Sequence, residues 1–150
     1  MKKLISCFVI VLLACCAVFA QSSEQMSKIL ESEKASYYTA SYLPALYANL
    51  ISEEASESAA FEALQSNGYF TSEVNPDSYI NLAELSYVYM KAFGMKGGLF
   101  FTLFDSPRYA FKEFKAQGIL PSTSDPDMTV SGHDVIDLFN GCLAVTGGNE

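Results

Sequence analysis

The sequence predicts an all-α fold in which helix-loop-helix repeats pack as a small pseudo-symmetric bundle. Apolar residues recur at helical spacing along most of the chain, and glycines follow where these stripes end. Residues 66–85 (SNGYFTSEVNPDSYINLAEL) also align without a gap on residues 116–135 (AQGILPSTSDPDMTVSGHDV). In this alignment Ile80 corresponds to Val130, and both side chains are expected to be buried and to anchor their loops to the core. A single helix-loop-helix unit cannot bury its apolar face alone, so the copies must pack together.

The N-terminal segment 1–20 is predicted to be a signal peptide. Two lysines precede an apolar run that is too short to span a bilayer, and small residues at 18–20 suit cleavage after residue 20. Cys15 offers an alternative, because Leu-Leu-Ala before a cysteine is typical of bacterial lipoproteins that are cut and lipidated there. Both alternatives predict export to the periplasm or cell envelope, and the second adds a lipid anchor.

The composition argues against some classes of partner. The chain has 9 Lys and Arg against 17 Asp and Glu, and loss of the two leader lysines leaves 7 against 17, a net charge of −10. This acidity argues against nucleic acid and against electrostatic attachment to anionic lipid, although it permits cation binding. Three of the four cysteines lie in the leader, so Cys142 remains, and its apolar helical stripe predicts a buried small side chain.

Four segments are predicted along the chain. They are the leader (1–20), an N-terminal helix and linker (21–40), the repeat domain (41–144) and a tail (145–150). A narrow apolar stripe favours a first helix over 24–36. The next stripe covers 42–50, with Pro44 expected in the first turn, where a helix tolerates proline.

The first full copy of the repeat spans about 61–94. Ser52 is predicted to cap its first helix, and Gly68 is predicted to end that helix. Asn81 and Glu84 fit a capping box for the second helix, because a carboxylate three residues after the cap can reach back to the backbone N–H of the cap.

The second full copy spans about 111–144. Ser106, followed by a proline, opens its first helix in the preferred order of cap and first-turn proline, and Gly118 ends it. Ser131 with Asp134 repeats the capping arrangement at the start of the last helix.

Between the two copies lies the strongly apolar segment 95–105 (MKGGLFFTLFD). We expect it to be a short segment that fills the core. The alternative is an exposed patch that contacts a partner or a membrane surface.

The repeat resembles the S-layer homology module, a family of cell-envelope domains. Residues 61–70 (FEALQSNGYF) are similar to the family's first helix and its glycine ending, and residues 75–85 (NPDSYINLAEL) to its loop and I-T-R-A-E signature. The second copy is similar between residues 104 and 127. Residues 42–50 would then be the long helix of a truncated first copy, completing a three-part bundle.

The resemblance implies a non-catalytic cell-envelope binding or structural module whose partner is a wall glycan or another envelope protein. In the family, the arginine of the signature helps to hold an anionic polymer, but Leu82 and Gly132 take its place here. The basic cluster on the repeats is Arg108, Lys112 and Lys115, so an anionic wall polymer is expected to meet these three side chains.

A calcium-binding helical module is the alternative, because loops 73–84 and 123–134 place oxygen ligands at the alternating positions that EF-hand and dockerin loops use. The candidate ligands are Glu73, Asn75, Asp77, Glu84, Asp125, Asp127 and Asp134. Against calcium, both loops lack the glycine that the turn needs at its sixth position and carry proline at the fourth. Roles in turns and helix caps explain the same residues, and outside this alternative no cofactor is expected.

No enzyme class is indicated by the sequence. His133 is the single histidine, and it falls in the first turn of a predicted helix, where a solvated imidazole is expected. No serine lies in a nucleophile-elbow pattern, and no glycine-rich phosphate loop is present. One histidine and one cysteine of the mature chain cannot form a His/Cys metal cluster.

Overall fold

A computed structural model of the chain describes residues 24–147. This part of the chain contains seven helices, and its only extended pairing is two isolated bridges. The helices are α1 (24–31), α2 (Tyr37–Tyr47), α3 (Glu57–Ser66), α4 (Leu82–Ala92), α5 (Leu99–Phe104), α6 (Pro107–Ala116) and α7 (Gly132–Gly147). The predicted all-α class is confirmed. The predicted leader and the lipidation alternative at Cys15 lie outside the described residues.

Six of these helices form three helix-loop-helix units, which we call unit one (24–47), unit two (57–92) and unit three (107–147). The second helices α2, α4 and α7 contact one another at the centre of the bundle. Outside them, α3 packs on α2 and α6 packs on α4, so the first helix of a unit packs on the second helix of the preceding unit. The units therefore share one core.

Backbone hydrogen bonds close the three units into a ring. In each bond, the first residue of a central helix donates to a carbonyl in another unit, which satisfies an N–H that the helix itself leaves free. The three bonds run from Tyr37 to Ser78 (3.1 Å), from Leu82 to Met128 (2.9 Å) and from Gly132 to Ser32 (2.8 Å). Unit one thus binds unit two, unit two binds unit three, and unit three binds unit one.

The centre of this ring holds one apolar residue from each loop: Ala35, Ile80 and Val130. All three are at most 1% exposed. The Ile80 N–H donates to the Ala35 carbonyl at 3.1 Å, and the Ala35 N–H donates to the Val130 carbonyl at 2.8 Å. The predicted burial of Ile80 and Val130 is confirmed. The equivalence of the two copies is also visible in their loops, because residues 71–80 and 121–130 share the same order of exposed and buried positions.

The cap residues of α4 and α7 are the ones that the sequence predicts. The Asn81 side chain accepts a hydrogen bond from the Glu84 N–H at 2.9 Å. At α7 the box is complete, since Ser131 Oγ accepts from the Asp134 N–H at 3.2 Å and Asp134 Oδ2 accepts from the Ser131 N–H at 2.7 Å. The Glu84 carboxylate instead accepts a hydrogen bond from the Tyr37 hydroxyl. The predicted return bond at Asn81 is therefore replaced by a contact between units.

The predicted cap of α3 at Ser52 is wrong. The cap is Ser56, whose Oγ accepts from the Ala59 N–H at 3.2 Å. Residues before it form a turn that is held from another helix, because the Tyr42 hydroxyl donates to the Glu53 carbonyl at 2.8 Å. This tertiary contact delays the start of the helix by one turn.

The first two helices also differ from the prediction. α1 ends at residue 31, not 36, because residues 32–36 form a non-helical segment that hydrogen-bonds to the other two units. α2 begins at Tyr37, so Pro44 lies inside the helix and not in its first turn. Proline has no N–H, so it cannot make the bond to the carbonyl of Ala40 that an ordinary residue would make.

The expectation that segment 95–105 fills the core is wrong. None of the residues of α5 is buried. Its four most exposed large side chains are Leu99 (78%), Phe100 (61%), Leu103 (69%) and Phe104 (53%). Met95 and Phe101 of this segment are partly buried and pack against the core, which is formed by other helices.

Candidate functional site

A cleft of about 690 Å³ lies where unit two meets unit three. One wall is α6, and the opposite wall is formed by the start of α4 and the loop of unit three. The lining residues are Asn81, Ala83, Glu84, Ser106, Pro107, Arg108, Phe111, Lys112, Lys115, Pro126 and Asp127. The packing of α6 on α4 brings together residues that are far apart in the sequence.

All three residues of the predicted basic cluster line this cleft. Arg108, Lys112 and Lys115 are spaced four and three residues apart, which places them on one face of α6. The Lys112 ammonium lies 5.1 Å from the centre of the Tyr109 ring. The Lys115 ammonium lies 5.2 Å from the centre of the Phe111 ring, so both cations rest against aromatic faces that their positive charge favours.

The three cations of the cleft differ in whether they have a hydrogen-bond or ion-pair partner within the protein. Lys115 donates to the Ser124 carbonyl at 3.3 Å, which fixes its ammonium against the loop of unit three. Arg108 and Lys112 are exposed, and neither forms an ion pair with a carboxylate within the described range 24–147. These two side chains are therefore available to an anionic ligand.

The carboxylates on the opposite wall are Glu84 and Asp127. The Tyr37 hydroxyl donates to Glu84, and burial of the phenol, followed by this bond, raises the pKa of Tyr37 above its ordinary value. Tyr37 thus stays a proton donor at physiological pH and takes up one lone pair of the carboxylate. A ligand entering the cleft meets cations on the side of α6 and the carboxylates of Glu84 and Asp127 on the other.

The two positions where the resemblance places a polymer-binding arginine are used for packing. Leu82 is 1% exposed, and Gly132 is buried. A Cβ at Gly132 would lie 1.6 Å from the backbone oxygen of Ile29 in α1. The departures from the family signature therefore have a structural reason, and the exposed cations lie on α6 instead.

Four of the candidate calcium ligands, Asn75, Glu84, Asp125 and Asp134, have side-chain oxygens that are engaged within the protein. Asn75 Oδ1 accepts the Asp77 N–H at 3.0 Å, and Asp125 Oδ1 accepts the Asp127 N–H at 3.0 Å, so the loops contain two equivalent Asx turns. Glu84 and Asp134 are held by the Tyr37 hydroxyl and by Ser131, respectively, and Glu73 is exposed. Within residues 24–147, no three His, Cys, Asp or Glu side chains form a group that could hold a metal ion.

We expect millimolar calcium to leave the midpoint of thermal unfolding unchanged relative to chelator. A cation that binds the native state alone must raise this midpoint by mass action. Differential scanning calorimetry with calcium and with EDTA tests this. A rise that disappears in the Asp77→Ala, Asp127→Ala double variant would show instead that the two loops bind calcium.

His133 and Cys142 lie on the same helix but not next to each other. His133 is exposed in the first turn of α7. Cys142 is fully buried, as predicted, and burial raises the pKa of its thiol to about 12. Nine residues of helix separate them by roughly 13 Å, so they do not form a pair of nucleophile and base.

Comparisons with known proteins add no family to this description. No protein-family model, no curated protein and no solved structure matches the chain. None of the described helices is both long enough and apolar enough to span a membrane. The resemblance to S-layer homology modules therefore depends on its motif residues alone.

Proposed function

We propose that the chain is an exported, non-catalytic binding module of the cell envelope, and that the cleft beside α6 holds an anionic wall polymer. The observation that carries the proposal is the convergence of Arg108, Lys112 and Lys115 in one cleft of a strongly acidic chain. Cations that line a concave site concentrate anionic ligands there even when the protein as a whole is negative.

The shape and chemistry of the cleft suit a polymer segment with anionic groups. Its volume of about 690 Å³ lies in the range of small-molecule sites, so it would enclose a few residues of a longer chain. Phe111 and the alkyl stems of the lysines give an apolar floor, and the charged ends supply hydrogen bonds to carboxylate or phosphate. A polymer would continue beyond the cleft into solvent.

We expect the Arg108→Gln, Lys112→Gln double variant to bind purified cell walls roughly tenfold more weakly, or not at all, because each charge-assisted hydrogen bond is lost. Co-sedimentation of the chain that begins at Gln21 with walls from the organism that expresses it measures the change. Gln keeps much of each alkyl stem, so the fold is expected to stay intact.

A matched control removes the same charge elsewhere. Lys28 and Lys34 are exposed on unit one, away from the cleft, and Lys28→Gln with Lys34→Gln should leave wall binding unchanged. Equal binding of the wild type and the cleft variant would contradict the proposed site. Undiminished binding of the wild type to walls whose anionic polymers have been extracted would contradict the proposed ligand.

A further inference from the structure

The surface of α5 carries a second binding feature that the cleft does not use. Leu99, Phe100, Leu103 and Phe104, which we call the α5 patch, are each more than half exposed. None of them lines the cleft. Four large apolar side chains in six residues, with none of the helix buried beneath the surface, form a protrusion and not a groove.

The patch is an ordered part of the surface, because its aromatic side chains pack on one another and on the bundle. The Phe100 and Phe104 rings stack on Tyr109 of α6 with centroid distances of 5.8 and 5.1 Å. Phe101, between them, packs edge-on against Tyr87 of the core at 6.2 Å. The exposed apolar side chains are thus presented by a helix that is fixed to α6.

Basic residues outnumber acidic ones in the part of the sequence that carries the patch. Residues 91–115 contain five Lys and Arg but only two acidic residues, Asp105 and Glu113, in a chain whose total charge is −8. Asp105 lies 3.7 Å from Lys91, and Glu113 lies beside Gly98 at the start of α5. The Lys112 ammonium lies 5.1 Å from the centre of the same Tyr109 ring that Phe100 and Phe104 contact. The acidity of the whole chain argues against attachment to anionic lipid, but this charge distribution overrides that argument locally.

We propose that the α5 patch inserts into the surface of an anionic lipid bilayer, with Arg108 and Lys112 contacting the headgroups. An apolar protrusion with a cationic rim is the arrangement with which peripheral proteins bind such surfaces, since the apolar side chains enter the acyl boundary while the cations stay at headgroup level. A protein partner that binds by taking up a peptide would require a groove. A second copy would bring two patches of the same positive sign together, which the local charge disfavours.

The proposal is tested with vesicles and the chain that begins at Gln21, which contains every residue of the described bundle and lacks the apolar leader. The wild type should co-sediment with phosphatidylcholine vesicles that contain roughly one third phosphatidylglycerol, and more weakly with pure phosphatidylcholine. Phe100→Ser with Leu103→Ser should lower the partition coefficient roughly tenfold or more, because the inserted apolar area is lost. Both side chains face solvent, and circular dichroism verifies that the helices are retained.

Arg108 and Lys112 serve both proposals, so variants of exposed apolar side chains separate this site from the cleft. Tyr79 and Met128 are also exposed apolar side chains, and Tyr79→Ser with Met128→Ser should leave vesicle binding unchanged. The Phe100→Ser, Leu103→Ser variant should still sediment with cell walls, so failure of one proposal does not imply failure of the other. Arg108→Gln with Lys112→Gln should reduce binding to anionic vesicles more than binding to neutral ones.

Three results would overturn the proposal. One is absence of wild-type binding to the anionic vesicles. Another is equal binding of the wild type and the Phe100→Ser, Leu103→Ser variant. The third is a wild type that sediments as a dimer in analytical ultracentrifugation and does not bind vesicles, while that variant is a monomer, because the patch would then be covered by a second copy.

Discussion

Gly132→Ala is expected to lower the free energy of unfolding by at least about 3 kcal/mol and the unfolding midpoint by roughly 10–15 °C. The added Cβ would lie 1.6 Å from the Ile29 oxygen and 2.6 Å from the Ile29 carbonyl carbon. Both are backbone atoms, so no side chain can rotate to relieve the clash. The start of α7 must move away from α1, which breaks the bond from Gly132 to Ser32 that joins unit three to unit one.

Gly147→Ala is the matched control. Gly147 lies in the same helix, and nothing lies within 4 Å of the position that its Cβ would take. Alanine favours helix over glycine by up to about 1 kcal/mol, so the control should be neutral or slightly stabilising. Urea denaturation of the three proteins gives the free energies. A loss of less than about 1 kcal/mol in Gly132→Ala would show that α1 does not dock on α7 as described.

The expected result matters for function because the ring positions the cleft. Leu82 donates its N–H to Met128 at one junction of the ring, and the adjacent Ala83 N–H donates to Pro126 at 3.0 Å. Ala83 and Pro126 form the wall that faces α6. Opening the ring at Gly132 relaxes the constraint on the loop of unit three, so the proposed binding to cell walls should weaken together with stability in this variant.

Local signals in the sequence are sufficient for the later helices. Asn81 and Ser131 cap α4 and α7 as predicted, because an Asx or Ser side chain before an apolar stripe accepts a hydrogen bond from a free N–H of the first turn. Gly68 and Gly118 end α3 and α6 with φ of +71° and +76°, a conformation that other residues rarely adopt. These features depend on a few neighbouring residues, so sequence reasoning can find them.

Features that depend on distant contacts could not be predicted. The choice of Ser56 over Ser52 follows from the hydroxyl of Tyr42, which holds the intervening turn from α2. The exposure of α5 depends on which helices compete successfully for the core, and the buried side chains come from other helices, such as α4 and α6. Hydropathy alone ranks Phe100 with the buried phenylalanines and contains no information about this competition.

The candidate site was predictable on one wall only. Arg108, Lys112 and Lys115 share a helix, and their spacing alone places them on one face. The opposite wall comes from Asn81 and Glu84, more than 20 residues earlier in the sequence, and reaches α6 only through the packing of unit two on unit three. The hydrogen bond between Tyr37 and Glu84 also joins two units, and no local sequence motif predicts it.

Stability is expected to fall steeply above pH 10, because buried phenols join the units. Tyr89 is fully buried in α4 and donates to the Val135 carbonyl of α7 at 2.9 Å; burial raises the pKa of its hydroxyl well above the ordinary value of 10.0. The pKa of Tyr37 is raised by burial and by its bond to Glu84. The pKa of the Cys142 thiol is raised by burial from 9.0 to about 12.

The sign of this pH dependence follows from which state, native or unfolded, binds more protons. Above pH 9 for the thiol and above pH 10 for the phenols, the unfolded chain loses protons that the native state still keeps, so ionisation favours unfolding. The stability that these protonated groups contribute is fully present below their unfolded-state pKa values and is lost as the pH rises. For the thiol, the loss extends up to its native pKa of about 12. Each group lowers the free energy of unfolding by at most about 1.4 kcal/mol per pH unit, so Tyr37 and Tyr89 together lower it by at most roughly 3 kcal/mol per pH unit.

A phenylalanine variant isolates this effect. Tyr89→Phe should be about 1–2 kcal/mol less stable than the wild type at pH 7, because the bond to Val135 is lost. Its stability should then fall less steeply above pH 10, since it has no buried phenol at this position, and the two curves should converge or cross near pH 11. Urea denaturation at successive pH values measures both curves.

Tyr79→Phe, at a ring that is 60% exposed, should follow the wild type throughout. Parallel curves for Tyr89→Phe and wild type would mean that the hydroxyl of Tyr89 reaches solvent, and that α4 and α7 are not packed as closely as the bond to Val135 requires.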